Sequence, residues 1–593
     1  STSPHSIVPH FSTPFSSAMS AQQYLQLLAS LQSTITATRQ AAESSFDQLR
    51  TNQPGNAVSL TVNVVCTPSY DLDQRVFACV LFRRMVRAGA CFTKLTMPQQ
   101  QQVRSSILNM LTADDTTVPK VLRRPVVHCV ASLAVTCDAK TNDLNKTWPE
   151  LLQTVNGLAG NENTQTYHRE SGHELLRRLI EAKPDALLVH KQVIQSVMST
   201  GLSDSSEQVR LAALQGCSQF LILLETNEDR SLFLPLVPAL MNTLSGLLSG
   251  GNELSARDAL ESLVSVAEAQ PTFWRTHLPL VWNAMCTVTG HQGLEPETRT
   301  MALELLLAIC EQAGGMVRKH LDLIQQLVQI VMSVLCQVDD VNVQEWSTAE
   351  ENEATYGDSL NEDEISNIAE QAMDRLATSL GGKIMTPILL PIVTQYLNDT
   401  SDWRKRRAGL EAIALCAAGC GKSFENMLNE LVTTSIQYCK DDHVRVRYSS
   451  LHCLGQFAND FQPQMQRKYQ NVVLPVLGAS LTTLNAGCER LQRLAVSALI
   501  NMCNEHCDKT TFMHYSKPLL EGLFALLSSS GSKTQADVFA AVAAIASVIE
   551  QQFIPYYNIF MPLALNVLNS TDGAKQQTQD GIRSHQLLRG RAM

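Results

Sequence analysis

The sequence predicts an all-α fold, a superhelical stack of antiparallel helix pairs (an α-solenoid). Three observations lead there. The 593 residues are 45% hydrophobic but only 6% aromatic, and Leu and Ala abound, which favours helices over an all-β architecture. No sustained alternation of apolar and polar residues marks a strand. One short pattern recurs: a polar turn, a Val-Arg-like pair, then apolar residues at helical spacing, as in SEQVRLAALQGC, ETRTMALELLLAIC, DWRKRRAGLEAIALC and DHVRVRYSSLHCLGQF.

Aligned on the residue four after the Arg position, the landmarks are Val127, His173, Leu214, Leu260, Leu303, Leu410, Leu451, Val496 and Val542. The steps between them are 46, 41, 46, 43, 107, 41, 45 and 46 residues. Apart from one long step, this is the period of HEAT-type units of about 40–47 residues, each made of two helices. Apolar residues at i, i+3, i+4 and i+7 give each unit one sticky stripe. A lone pair cannot cover that stripe; stacking on neighbours does, and leaves a concave and a convex face. Prolines 235, 279, 387, 518 and 562 read as helix boundaries. His173 interrupts the apolar rule.

Along the chain, residues 1–20 (beginning STSPHSIVPHF) have neither the charged start nor the apolar core of a signal peptide and read as a disordered leader. Residues 21–336 read as N-terminal HEAT repeats. The 107-residue step exceeds the roughly 90 residues of two units, so residues 337–364 read as an insertion. It carries Asp339, Asp340, Glu345, Glu350, Glu351, Glu353, Asp358, Glu362, Asp363 and Glu364, with no Lys or Arg between Lys319 and Arg375. Such a block serves either as a solvated loop or as a contact for a basic partner. The embedded Trp346 and Tyr356 favour contact, since a purely solvating loop does not need aromatics. Residues 365–593 read as central HEAT repeats.

Net charge is −10, a poor match to nucleic-acid phosphates and a better one to basic partners. Sixteen cysteines are scattered singly, as small hydrophobes in a reducing compartment rather than a disulfide framework. No run of about 18 apolar residues is evident, so no membrane insertion is expected. GCGKS (Gly419 to Ser423) lacks the first Walker glycine, Cys416 standing there, and follows a helix rather than a strand. CNEHC (Cys503 to Cys507) and CAAGC (Cys416, Cys420) have no second ligand pair at metal spacing; the former is expected on one helical face. WRKRR reads as a solvated helix face. No catalytic constellation, metal site or cofactor motif stands out, and no enzyme activity is expected.

The order of AMDRLATSLGGKIMTPIL, DWRKRRAGLEAIALCAAGC, NELV, DDHVRVRYSSLHCLGQFANDFQPQMQRKY, ALINMCNEHC and FIPYYNIFMPLALNVL resembles the importin β (karyopherin β) family of nuclear transport receptors, in its importin-5 branch. VFACVLFRRMV resembles the family's early repeats. Family members are about twice this length, and the chain's last residues, LLRGRAM, look like the start of a further helix; the resemblance implies an N-terminal half, as a fragment or truncated product. It further implies shuttling between cytoplasm and nucleus, basic cargo with Lys-rich signals (ribosomal proteins or histones among the possibilities), FG nucleoporins at the pore, and release by Ran-GTP bound to the N-terminal repeats and the acidic insertion. At the family's cargo positions stand Asp460 and Asn501, with Asn504 and Glu505 one turn further on. His452 replaces the family's Asn, and Ala418 replaces an acid. Asp460 reads equally as a helix cap or a bond to a neighbouring repeat. The alternative is a HEAT scaffold of another kind, such as a phosphatase regulatory subunit, which has no need of the acidic insertion.

Overall fold

A computed structural model describes residues 19–87, 91–136, 144–160, 165–338, 346–347, 364–485, 487–529 and 532–572. These residues form helices and no strand. The chain divides into two compact units, Ser1–Val281 and Trp282–Met593.

In each unit the helices form two layers. The layer carrying the landmarks comprises, in the first unit, α1 (Leu72–Arg87), α2 (Lys120–Val135), α3 (Thr166–Ala182), α4 (Glu207–Leu223) and α5 (Glu253–Ala269). In the second unit it comprises α6 (Pro296–Val317), α7 (Glu364–Leu380), α8 (Trp403–Leu415), α9 (Val444–Asp460), α10 (Glu489–Met502) and α11 (Ser532–Ile549). Within a unit each packs on the next in sequence, and each is backed by a partner such as Pro149–Ala159 for α3 or Leu428–Tyr438 for α9.

Every landmark sits in this layer and is buried, none more than 1% exposed. Truncating one, Leu303→Ala for instance, falls in the class that costs about 2–5 kcal/mol. His173 keeps the pattern although polar, because Gly201 leaves room for its ring.

The Arg of the recurring pattern ties its unit to the next turn. Arg406 grips Asp441 with two bonds (2.9 and 3.1 Å) and donates to the carbonyls of Asp399 and Thr400. Arg447 reaches the Asn485 side chain and the carbonyls of Asp441 and Asp442. Arg169 grips Asp204 in the same way. A planar five-donor fork can serve a carboxylate and its own turn at once, which an ammonium cannot.

The long step contains α7, so it is two units, and the insertion separates the Leu321–Leu335 helix from its partner α7. Of the insertion, Gln337, Val338, Trp346, Ser347 and Glu364, which opens α7, are described. Asp339, Asp340, Glu345, Glu350, Glu351, Glu353, Tyr356, Asp358, Glu362 and Asp363 lie outside the described residues, as do leader residues 1–18. Ser20 caps the first helix, Ala21–Leu31, in a reciprocal capping box with Gln23.

Three sequence expectations need correcting. Pro387, Pro518 and Pro562 lie inside helices rather than at their ends; packing in the layers outweighs the lost backbone bond. Three helical stretches (Asn227–Ser249, Pro296–Val317 and Thr534–Asn566) are long and apolar enough to cross a membrane by length and composition. A helix wedged between neighbours in its own layer and partners in the other must be apolar around most of its girth, and α6 accordingly buries Leu303, Leu305, Leu306, Leu307 and Ile309. Finally, CNEHC is not helical, since α10 ends at Met502.

GCGKS lies within the Ala417–Glu425 helix. A Cβ at Gly419 would stand 2.4 Å from the Ala377 carbonyl carbon, so this glycine serves helix–helix approach, not phosphate binding.

Candidate functional site

In the second unit, polar side chains meet where α7, α8 and α9 pack together. They form a connected line across three helices. Arg407 of α8 donates to Glu370 of α7 (2.7 Å) and to the Leu335 carbonyl (3.1 Å). One turn on, Glu411 of α8 is 3% exposed. It accepts from the Ser449 hydroxyl (2.6 Å) and meets Nδ1 of His452 of α9 (2.7 Å). Burial alone would raise the Glu411 carboxyl, but the His452 ring, Arg407 and the Ser449 hydroxyl outweigh it and hold Glu411 below the ordinary glutamate range. Burial alone would likewise lower His452, yet Glu411 and Glu370 lift it above the ordinary histidine range. Glu370 is pushed up by burial and by the Glu411 charge, against Arg407.

The line continues at the C-terminal end of α9. Asp460 takes one bond, from Asn459 (2.8 Å), on Oδ1. Its Oδ2 is buried and accepts no hydrogen bond. Burial, with the charge of Asp374 of α7 adding to it, raises Asp460 above the ordinary aspartate range, against the Asn459 bond. Asp374 itself is exposed. An under-bonded carboxylate beside a second acid is an acceptor for a cation, above all an ammonium that fits between helices on a thin aliphatic stem.

The sequence candidates therefore divide. Asp460 stands on this face, and His452 stands there as the partner of Glu411. Asn501 of α10 spends its amide on the Gly455 carbonyl of α9 (3.2 Å), joining two repeats. Asn504 lies in the turn after α10, where its Oδ1 accepts from the His506 backbone (2.9 Å) and its Nδ2 is buried without a partner. Glu505 is in the same turn, with a side chain 87% exposed. Ala418 follows α8 and is exposed. Trp346 is buried: Arg490 lies 4.6 Å above its ring, and Tyr448 meets it edge-on at 5.5 Å. The insertion's aromatic is thus engaged by α9 and α10.

Sequence reasoning missed Asp374, Glu370, Arg407 and Glu411. Arg407 sat inside WRKRR, whose charges are largely paired: Lys405 with Asp399, Arg406 with Asp441 of the next unit, and Arg407 with Glu370. The available signal for Glu411 was a lone acid one residue past the landmark Leu410. No group of three or more metal-ligating side chains occurs among the described residues.

Residues 118–284 match the family described as "IPO5-like, TPR repeats", 291–387 match "Importin repeat", and 422–579 match "Importin subunit beta-1-like, TPR repeats". Importin subunit beta-3 of Saccharomyces cerevisiae is 30% identical over 84% of this chain and 45% of its own length. The chain belongs to the importin β (karyopherin) family. Human importin-4 is 25% identical over 83% of the chain and 44% of its own length. The crystal structures of Kap121p bound to Ste12p and bound to Nup53p superpose with TM-scores of 0.82. They are 26% and 25% identical, covering 96% and 97% of this chain and 52% and 53% of theirs. The chain spans about half the length of these relatives. The family's members are transport receptors, not enzymes.

Proposed function

We propose that this karyopherin binds extended, Lys-rich segments of cargo proteins on the α7–α10 face and carries them into the nucleus. The observation that carries this is Asp460, whose carboxylate holds an unused, buried oxygen beside Asp374. A lysine ammonium has three donors and would supply both the missing bond and the missing charge. Ordering a flexible peptide costs entropy, so the face must offset it through several such contacts. Asn459, adjacent to Asp460, and Asn504 and Glu505, in the turn after α10, extend them.

By the same reading residues 21–336 contact Ran in its GTP form, the acidic insertion 337–364 contributes to Ran or cargo, and residues 365–593 hold cargo. Shuttling through the pore uses FG nucleoporins, and cytoplasm and nucleus are the two compartments. The Kap121p complexes with Ste12p and Nup53p support a receptor with protein cargo and a nucleoporin partner. The test is direct. The immobilised chain is loaded with a Lys-rich peptide, and Ran carrying GTP or GDP is added. Release by the GTP form alone is expected; indifference to both forms would sink the Ran-coupled reading, and no capture of the peptide would sink the cargo reading.

A further inference from the structure

We propose that the first unit carries a binding pocket for a phosphorylated serine or threonine side chain of a partner protein. It lies on α1, α2 and α3 of the first unit, within the residues read above as contacting Ran, and does not rest on the lysine-slot reading of Asp460. A cavity of about 220 Å³ opens between these helices, lined by Arg83, Arg87, His128, Ser132, Arg178 and Glu181 among others.

Among the described residues the charges around it do not balance. Three arginines line it, Arg83 and Arg87 on α1 and Arg178 on α3, and the same helices also carry Arg84, Arg124 and Arg177. Two carboxylates face them. Glu174 bonds Arg177 (2.7 Å) and Arg178 (3.1 Å), and its oxygen lies 3.9 Å from Arg124 and 3.8 Å from His128 Nε2. Glu181 bonds Arg177 (3.1 Å) and Arg178 (2.8 Å). Both acids bond arginines of α3, and Glu174 also faces Arg124 and His128 of α2. Among the described residues no carboxylate pairs with Arg83, Arg84 or Arg87. The Nε of Arg83 is buried without an acceptor, while His128 faces the Glu174 carboxylate. A buried donor left unmade costs free energy, and arginines one helical turn apart repel. A chain whose net charge is −10 has nonetheless kept this surplus in one concave spot.

The group that answers this arrangement is a dianion with several acceptor oxygens. A carboxylate has one plane and two oxygens, which a single arginine fork can satisfy. Here Arg83 and Arg87 of α1 line the recess together with Arg178 of α3, and a tetrahedral phosphate with three free oxygens can meet donors from both helices together. The cavity is a single recess, whereas a nucleic-acid strand needs a continuing basic track. One phosphorylated side chain reaching in from a protein partner fits both facts.

The full chain is immobilised and offered two peptide pools without lysine or arginine, one with a central phosphoserine and one with serine, otherwise randomised. Retention of the phosphorylated pool should exceed the other about tenfold at low salt. Arg83→Gln with Arg87→Gln should abolish that difference while leaving the helical circular dichroism unchanged. Equal retention of the two pools, or a preference that survives the double substitution in the folded chain, overturns the proposal. So does displacement of the bound phosphopeptides by an equimolar amount of oligothymidylate, which would make the pocket a nucleic-acid site.

Discussion

The imidazole of His173 occupies the space above Gly201: a Cβ built at position 201 would stand 2.2 Å from Cε1 and 2.3 Å from Nε2 of the ring. The ring is fully buried. A histidine at a landmark position is thus accommodated by a glycine on the partner helix of the next unit, Lys191–Leu202.

Gly201→Ala should therefore destabilise the chain by about 1–3 kcal/mol, as overpacking of a filled site does. His173→Ala frees the space, so the double substitution should cost less than the sum of the single ones. Urea unfolding of the three variants measures this; simple additivity would refute the contact.

Burial lowers His173 to about 4, against about 6.5 in the unfolded chain. The unfolded state then binds the proton more readily between those values. His173 costs no stability above about pH 6.5, and its penalty grows as pH falls towards 4, reaching at most about 3 kcal/mol. His173→Leu should flatten the loss of stability between pH 7 and 4.5. An unchanged slope in the variant would mean that the ring is not buried as described.

The His452–Glu411 pair has the opposite dependence on its alkaline side. His452 is raised, so its contribution is complete below about pH 6.5 and is lost as pH rises through the folded value. Glu411 is depressed, so its contribution is complete above about pH 4.3 and is lost as pH falls through its folded value. The stability gap between the native chain and His452→Leu should be widest between about pH 4.5 and 6.5 and close on alkalinisation. It should reach about 3 kcal/mol, because the variant leaves a buried acid short of a partner. A gap independent of pH would rule the ion pair out.

Asp460→Asn removes the charge but not the shape. Because burial disfavours the Asp460 carboxylate, the variant should be at least as stable as the native chain. Binding of a labelled Lys-rich peptide should weaken about tenfold, and further when Asp374→Asn is added. Fluorescence anisotropy at fixed salt decides, and unweakened binding in the double variant would remove the proposed lysine slot.

Much of the fold was legible because a stacked array repeats its demands. Each unit must bury one stripe at one spacing, so Leu214, Leu303, Leu410 and Leu451 announce their helices from sequence alone, and the Arg four residues earlier announces the turn it ties. The family was legible for the same reason, through runs such as VRVRYSSLHCLGQF. The site was not legible in the same way. Asp460 could be picked out by resemblance, but that its Oδ2 lacks a partner while Asn501 is spent on Gly455 depends on how α9 meets α10.

Amino-acid order by itself determined the helical periodicity, the unit length, the acidic balance and the place of the insertion, because these are properties of one strand of chain read locally. Only the tertiary structure decided which charges meet. Glu370, Arg407, Glu411 and His452 come from three stretches 37 to 82 residues apart, and nothing within any one stretch states that they share a line. The same holds for the arginines of α1, α2 and α3. The energy of a charge is set by what surrounds it in space, and stacking brings those surroundings from other repeats.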